Sequence, residues 1–188
     1  MRTRTIVGAL ILMTGGAVHA EPHTLLSGKL AYMRTATKEM RFDCRAFPFP
    51  PLDMPSDPAN FPNTGGASVR MQDLGTPGST VTINIPPGAG WTTPSWGYLY
   101  GAPAAPGTCR YLRVRKTGLV AGVKGKCHTN GLLPTPFAQE LAIEVRLGSG
   151  PPVTYKPYCC SFGGTTVRND GTLFRRKNAP APPACASW

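Results

Sequence analysis

Acidic residues are scarce in this chain: nine Asp and Glu stand in 188 residues against 20 Lys and Arg, a formal net charge of +11. Residues 74–139 contain no acid at all. Histidine is rarer still, with three in the whole sequence, which leaves few side chains for metal binding or proton transfer at neutral pH. Charged residues make up only 15% of the chain while 41% is hydrophobic, so a charge-rich disordered chain and a long helical rod are both excluded. No apolar run of about 18 residues exists beyond the N-terminus, and no transmembrane helix is expected after it. No window carries a 3.6-residue apolar stripe, so helices are not expected to build the core.

What is abundant is glycine and proline, 22 and 21 residues, the mark of a loop-rich β domain. Met1 to Ala20 carries Arg2 and Arg4, an apolar stretch from Ile6 to Met13, and the small-residue site Val18-His19-Ala20. These features define a signal peptide over residues 1–20, too short in its apolar part to span a bilayer. Its removal takes two arginines and no acid, leaving 20 − 2 = 18 basic against 9 acidic residues, a charge of +9. Export places the product in a secreted or periplasmic setting.

All six cysteines, Cys44, Cys109, Cys127, Cys159, Cys160 and Cys185, fall after that segment, and an even count in an oxidising compartment implies three disulfides. Zinc is the competing use of such cysteines, but no Cys-x2-Cys pair occurs and only His23 and His128 remain, so no metal is expected.

Residues 21–188 read as a single disulfide-bonded β domain. Period-two alternation sets Met40, Phe42 and Cys44 against Arg41, Asp43 and Arg45, and recurs at Ala67–Gln72, Thr80–Ile85 and Glu140–Leu147. Pro86-Pro87-Gly88 and Gly148-Ser149-Gly150-Pro151-Pro152 separate these runs, and Asp170-Gly171 predicts a tight hairpin with a type I′ turn. The proline-rich stretch at about 47–66 cannot enter a central strand and is expected as a long surface loop. Seven to ten strands with such turns predict an all-β fold. The expected form is an antiparallel two-sheet sandwich, jelly-roll or Ig-like, with a β-barrel as the alternative.

The search for catalytic groups returns mostly absences. There is no Gly-x-Ser-x-Gly elbow, no His-Glu-x-x-His and no phosphate-cradling glycine loop, and no cofactor is expected. Glu140 and Glu144 share the polar face of one strand and are expected as solvated residues. His128, in a turn beside Cys127, is a lone histidine whose ordinary place is the solvent, with a general base as the sharper alternative.

Charge is the most uneven feature. Arg110, Arg113, Arg115, Lys116, Lys124 and Lys126 all lie inside the acid-free stretch. Arg113 and Arg115 share one strand face with Tyr111, and Lys124 and Lys126 recur on the return strand, so a turn at Lys116-Thr117-Gly118 would align four cations on one side of a hairpin. Such a face attracts sulfate, phosphate or carboxylate groups, or else serves as a solvated strand face. The same hairpin brings Cys109 to Cys127, although strict alternation points their sulfurs to opposite faces. A bulge at Gly122 or Gly125 would restore the register. Upstream, Trp96, Tyr98 and Tyr100 project from one face opposite Leu99. They form either a platform for sugar rings or part of the core. No nucleic-acid-binding motif accompanies these rings, and nucleic acid is not an expected partner.

Several elements together resemble a secreted bacterial β-rich module without a known activity. They are Cys109-Arg110-Tyr111 through Lys126-Cys127, Leu141 to Leu147, Cys159-Cys160-Ser161-Phe162-Gly163-Gly164-Thr165, and Lys177-Asn178-Ala179-Pro180-Ala181-Pro182 before Cys185. A weaker likeness runs through Ala67–Ile85 and Trp91–Tyr100. In that pattern Cys159 is the usual cysteine before Phe-Gly-Gly, which implies a Cys159–Cys185 bridge. Cys44 and Cys160 are then additions that pair with each other. Adjacent strand residues face opposite ways, so Cys159 and Cys160 serve different partners. The resulting expectation is a non-enzymatic module that associates with an anionic polysaccharide or envelope surface, with a hydrolase of extracellular polymer as the alternative.

Overall fold

A computed structural model describes residues 23–46, 51–75, 79–130, 140–149, 156–182 and Cys185. The signal-peptide segment 1–20 and Phe47–Pro50 of the proline-rich stretch lie outside the described residues. Among the described residues there are twelve strands: β1 Thr24–Arg34, β2 Glu39–Arg45, β3 Ala67–Asp73, β4 Thr80–Ile85, β5 Trp91–Thr92, β6 Gly97–Gly101, β7 Thr108–Arg115, β8 Gly122–His128, β9 Leu141–Leu147, β10 Tyr158–Phe162, β11 Thr165–Asn169 and β12 Leu173–Ala179. The runs chosen by alternation become β2, β3, β4 and β9. In β3 every second side chain, from Ala67 to Asp73, is buried.

The fold is all-β, and its pairing gives one curled mixed sheet, a half-barrel in the order β4-β3-β9-β10-β1-β2-β8-β7-β6-β5. The barrel alternative is compatible with this curl, whereas two separate antiparallel sheets do not emerge. The continuity comes from β1. Its first residues, Thr24–Leu26, pair in parallel with β10, and its remainder pairs antiparallel with β12, while β2 runs along its other edge. Gly28 sits where the partner changes. A Cβ there would lie 2.8 Å from the Phe162 ring and 2.6 Å from the Ser161 carbonyl oxygen, so only glycine lets β1 pass this close. A bulge at the next residue, Lys29, completes the change of direction.

Curling brings inner faces together. Val123 of β8 and Cys44 of β2 meet Leu26, Ile143, Val145 and Tyr158 around one small interior gap. Phe42, Leu112, Phe162 and Phe174 are fully buried in the same core.

The three disulfides are Cys44–Cys160, Cys109–Cys127 and Cys159–Cys185. Cys160 points into the core toward β2, while its neighbour Cys159 faces outward and fastens the C-terminal segment. Cys109 and Cys127 are direct cross-strand partners, but the bulge that permits this is at Arg110 on β7, not at Gly122 or Gly125. The extra residue swings Cys109 onto the face of Leu112 and Val114, and Arg110 is left exposed. Gly122 has its own constraint, a φ of +144° and a position against the Cys44 carbonyl oxygen.

Three local expectations change. The connection between β7 and β8 is the six-residue stretch 116–121 rather than a three-residue turn. The β11–β12 hairpin has no type I′ turn, because neither Asp170 nor Gly171 has positive φ. The Asp170 side chain replaces that geometry, its Oδ1 accepting from the Thr172 and Leu173 amides at 2.8 and 2.9 Å. The proline-rich stretch is no mere surface loop either: Leu52, Pro55, Asn60 and Pro62 are buried within it. It contains a 3₁₀ turn at Pro58–Asn60 and a single helical turn at Pro62–Gly65, and its Ala59 and Asn63 carbonyls accept from the Ser149 and Gly88 amides at 3.3 and 3.0 Å. The Tyr158 hydroxyl donates to the Asp53 carbonyl at 2.6 Å. Among the described residues, no helix is long and apolar enough to cross a membrane.

Candidate anion-binding face

Directly paired antiparallel residues present their side chains to the same side of a sheet. Arg113, Lys124 and Asp43 therefore form one outward row across β7, β8 and β2. Tyr111, Lys126 and Arg41 form the next, and Arg115, Gly122 and Arg45 a third. The four cations expected on one face, Arg113, Arg115, Lys124 and Lys126, are thus brought together. Lys124 is exposed and the other three are half-buried.

The same pairing brings in acids that the sequence window did not contain. Glu39 and Asp43 of β2 stand beside the hairpin. The Lys126 Nζ lies 3.0 Å from Glu39 and the Arg41 Nε 2.6 Å from it. Asp43 accepts two bonds from Arg45, at 3.1 and 3.0 Å. Burial pushes the Glu39 carboxyl up, but the hydrogen bonds from Lys126 and Arg41 more than reverse this, leaving it below its ordinary range and ionised at neutral pH. Six cations, Arg41, Arg45, Arg113, Arg115, Lys124 and Lys126, against these two carboxylates leave 6 − 2 = 4 positive charges on the three-strand face. Arg115 stacks on the Trp96 ring at 5.7 Å and donates from Nε to the Thr117 carbonyl at 3.3 Å. The Arg113 Nε is buried without a hydrogen-bond partner.

The aromatic candidates divide. Tyr98 and Tyr100 are 6% and 5% exposed, and burial pushes the Tyr98 phenol up from its usual range. Tyr100 packs against Trp91 with centroids 5.1 Å apart, and Tyr98 against Phe61 at 6.5 Å. These two rings are core anchors and present no platform to solvent. Trp96 lies in the turn before β6, half-buried beneath Arg115. Leu99 takes the outward position opposite Arg113. His128 is half-buried and stands opposite Glu39 in register, but the Glu39 carboxylate is held by Arg41 and Lys126.

The sequence reading missed a second cluster. Glu144, expected in solvent, is completely buried, with the His23 Nε2 at 2.6 Å, the Arg146 Nε at 2.8 Å and the Arg70 guanidinium at 3.7 Å. Burial pushes its carboxyl up. The bonds from His23 and Arg146 outweigh that and hold it below the ordinary carboxylate range. The His23, Glu144 and Cys185 ligand atoms all lie within 4.8 Å of one another, but the Cys185 sulfur is committed to its bridge with Cys159. A carboxylate kept ionised by arginines is a poor proton donor, so the cluster has the geometry of an ionic staple. Its signal lay in the bridge: Cys159 is the cross-strand partner of Glu144, so the Cys185 joined to Cys159 is set beside Glu144 as well.

Comparison with known proteins gives no match among family models, curated proteins or solved structures. The likeness to exported bacterial modules therefore rests on the motif residues alone.

Proposed function

We propose that this chain is an exported, non-catalytic β module that binds an anionic polysaccharide or envelope surface through the outer face of β2, β8 and β7. The observation that carries this reading is the in-register convergence of Arg113, Lys124, Arg115 and Lys126 on a solvent-facing surface. That surface keeps a net charge of +4 after Glu39 and Asp43 are counted. Three disulfides suit an oxidising compartment outside the cytoplasm, and the N-terminal segment has the pattern of a signal peptide. The hydrolase alternative gains nothing from the His23–Glu144 contact, where the carboxylate is buried and pinned by arginine.

The test is retention of the purified, oxidised protein on immobilised sulfated or carboxylated polysaccharide. Wild type is compared with Arg113→Glu/Lys124→Glu at equal salt, with circular dichroism as the check on folding. Weaker retention of the folded double variant supports the reading. Equal retention reduces the face to a solubility feature.

A further inference from the structure

The basic surface does not stop at β2. Lys126 and Arg41 continue in register through Tyr32 of β1 and Arg175 of β12. Around Tyr32 this row deepens into a groove of about 430 Å³, lined by Tyr32, Arg34, Arg41, Arg175 and Glu39 among others. The guanidinium carbons of Arg34 and Arg41 each stand 5.7 Å from the centre of the Tyr32 ring. Arg175 approaches from the opposite strand as the direct partner of Tyr32. Among the described residues Glu39 is the groove's one carboxylate, and it is already engaged by Arg41 and Lys126. Arg34 and Arg175 are exposed; Arg34 stands opposite Glu39 in register, but neither guanidinium makes an ion pair with a carboxylate among the described residues.

Two unneutralised guanidinium groups and a third shared one, arranged about a half-buried aromatic ring, make a specific chemical environment. Guanidinium forks match the oxygen pairs of sulfate, carboxylate or phosphate. A tyrosine ring gives an apolar face with a polar edge. Arg175 and Arg41 flank Tyr32 from the two neighbouring strands and so stand roughly 10 Å apart, about two strand spacings. That leaves space for one residue of a chain between them. A base-stacking ligand would need a series of exposed rings. Here Tyr98 and Tyr100 are core, and among the described residues Tyr32 is the groove's only aromatic lining residue.

From this arrangement we infer that the Tyr32 groove is the principal subsite of the anionic face and takes a single acidic sugar residue. The sugar ring lies on Tyr32, and its anionic group is held by Arg34 and Arg175. The inference rests on the polysaccharide-binding reading above and adds where the chain is gripped. Sulfate esters and ionised carboxylic acids share this chemistry, and the choice of probe separates them.

The experiment titrates the full oxidised protein by calorimetry with a short heparin-derived oligosaccharide, an oligogalacturonate, a neutral dextran oligomer and a single-stranded oligonucleotide. Four proteins are compared: wild type, Arg34→Gln/Arg175→Gln, the charge-matched Lys116→Gln/Lys156→Gln at two exposed lysines outside both the groove and the cation rows, and the charge-neutral Tyr32→Leu. Loss of two charge-assisted hydrogen bonds predicts that the groove pair weakens binding of an acidic oligosaccharide about tenfold or more. The charge-matched pair should change it by less than about threefold, because a screened charge outside the groove contributes little to a short ligand. Tyr32→Leu should weaken it severalfold without altering net charge. Neutral dextran should not bind.

Equal losses in the two charge-matched pairs would overturn the groove while leaving the polysaccharide reading intact. No binding of either acidic oligosaccharide to wild type would remove both. Tighter binding of the oligonucleotide than of either sugar, lost in the groove pair, would overturn the assigned ligand class. Should Tyr32→Leu fail to fold, the arginine pair decides, since both of its side chains are exposed.

Discussion

Replacing Glu144 by Gln is the sharpest test of how the outer side of β9 is held. The substitution keeps the side-chain volume but removes the negative charge that His23, Arg146 and Arg70 share at 2.6, 2.8 and 3.7 Å. Two close charge-assisted hydrogen bonds are lost, each worth about 1.5–3 kcal/mol. Part of that is regained, because the Arg70 and Arg146 side chains remain 28% and 26% exposed and can turn toward water. A net cost of about 2–3 kcal/mol is expected, which in a domain of this size lowers Tm by roughly 4–12 °C. The sign of the pH dependence follows from the direction of the Glu144 shift. Its folded pKa lies below the unfolded value of about 4.3, so its stabilisation is complete above that pH and is lost as pH falls through the folded value. The Tm gap between wild type and variant should therefore be full at pH 7 and shrink below about pH 4. Thermal melts by circular dichroism from pH 7 to pH 3 measure both quantities. A gap under about 1 °C at pH 7, or a gap that widens in acid, would refute the claim that the covered carboxylate is a net stabilising staple.

Cys44→Ser/Cys160→Ser opens a bridge of sequence separation 116, and the chain-entropy model gives a loss of about 4–5 kcal/mol, measurable by urea unfolding. A loss below about 1 kcal/mol would mean that the core holds β2 to β10 without the bridge. Glu39→Gln removes the carboxylate that engages Arg41 and Lys126, so acidic-polysaccharide affinity should rise about two- to fivefold at low salt. Stability should change by no more than about 1 kcal/mol, and a fall in affinity would show that Glu39 orders those cations rather than masking them.

The strands were legible because alternation is a local property. Val69 and Met71 face inward for the same reason that their neighbours Ser68, Arg70 and Gln72 are polar. The bridges were legible in part. The opposite directions of Cys159 and Cys160 follow from strand geometry, and the Cys109–Cys127 pair follows from a hairpin. The site of the bulge did not: Gly122 and Gly125 are the residues that tolerate distortion, yet the extra residue is Arg110, which loses nothing by standing in water. What the sequence hid is what non-neighbouring strands bring to each other. The acid-free stretch 74–139 suggested an unopposed cation row, but β2 supplies Glu39 and Asp43 from far upstream. The extension through Tyr32 and Arg175 depends on β1 lying between β2 and β12, an order that no local pattern encodes. Glu144 alternates as a surface residue should, and becomes buried where His23, Arg70 and Arg146 close on it and the bridge on the adjoining strand sets Cys185 beside it.

The most direct test of the anionic-face account is the salt dependence of binding to one defined acidic polysaccharide. Affinity of the wild type and of Arg113→Glu/Lys124→Glu is measured from about 50 to 500 mM NaCl, over which the screening length falls from more than 10 Å toward 4 Å. A wild-type affinity that declines steeply with salt, with the double variant weaker at low salt and converging on it at high salt, is the predicted result. Wild-type binding that is insensitive to salt, or a folded double variant that binds equally well at 50 mM, would contradict the account.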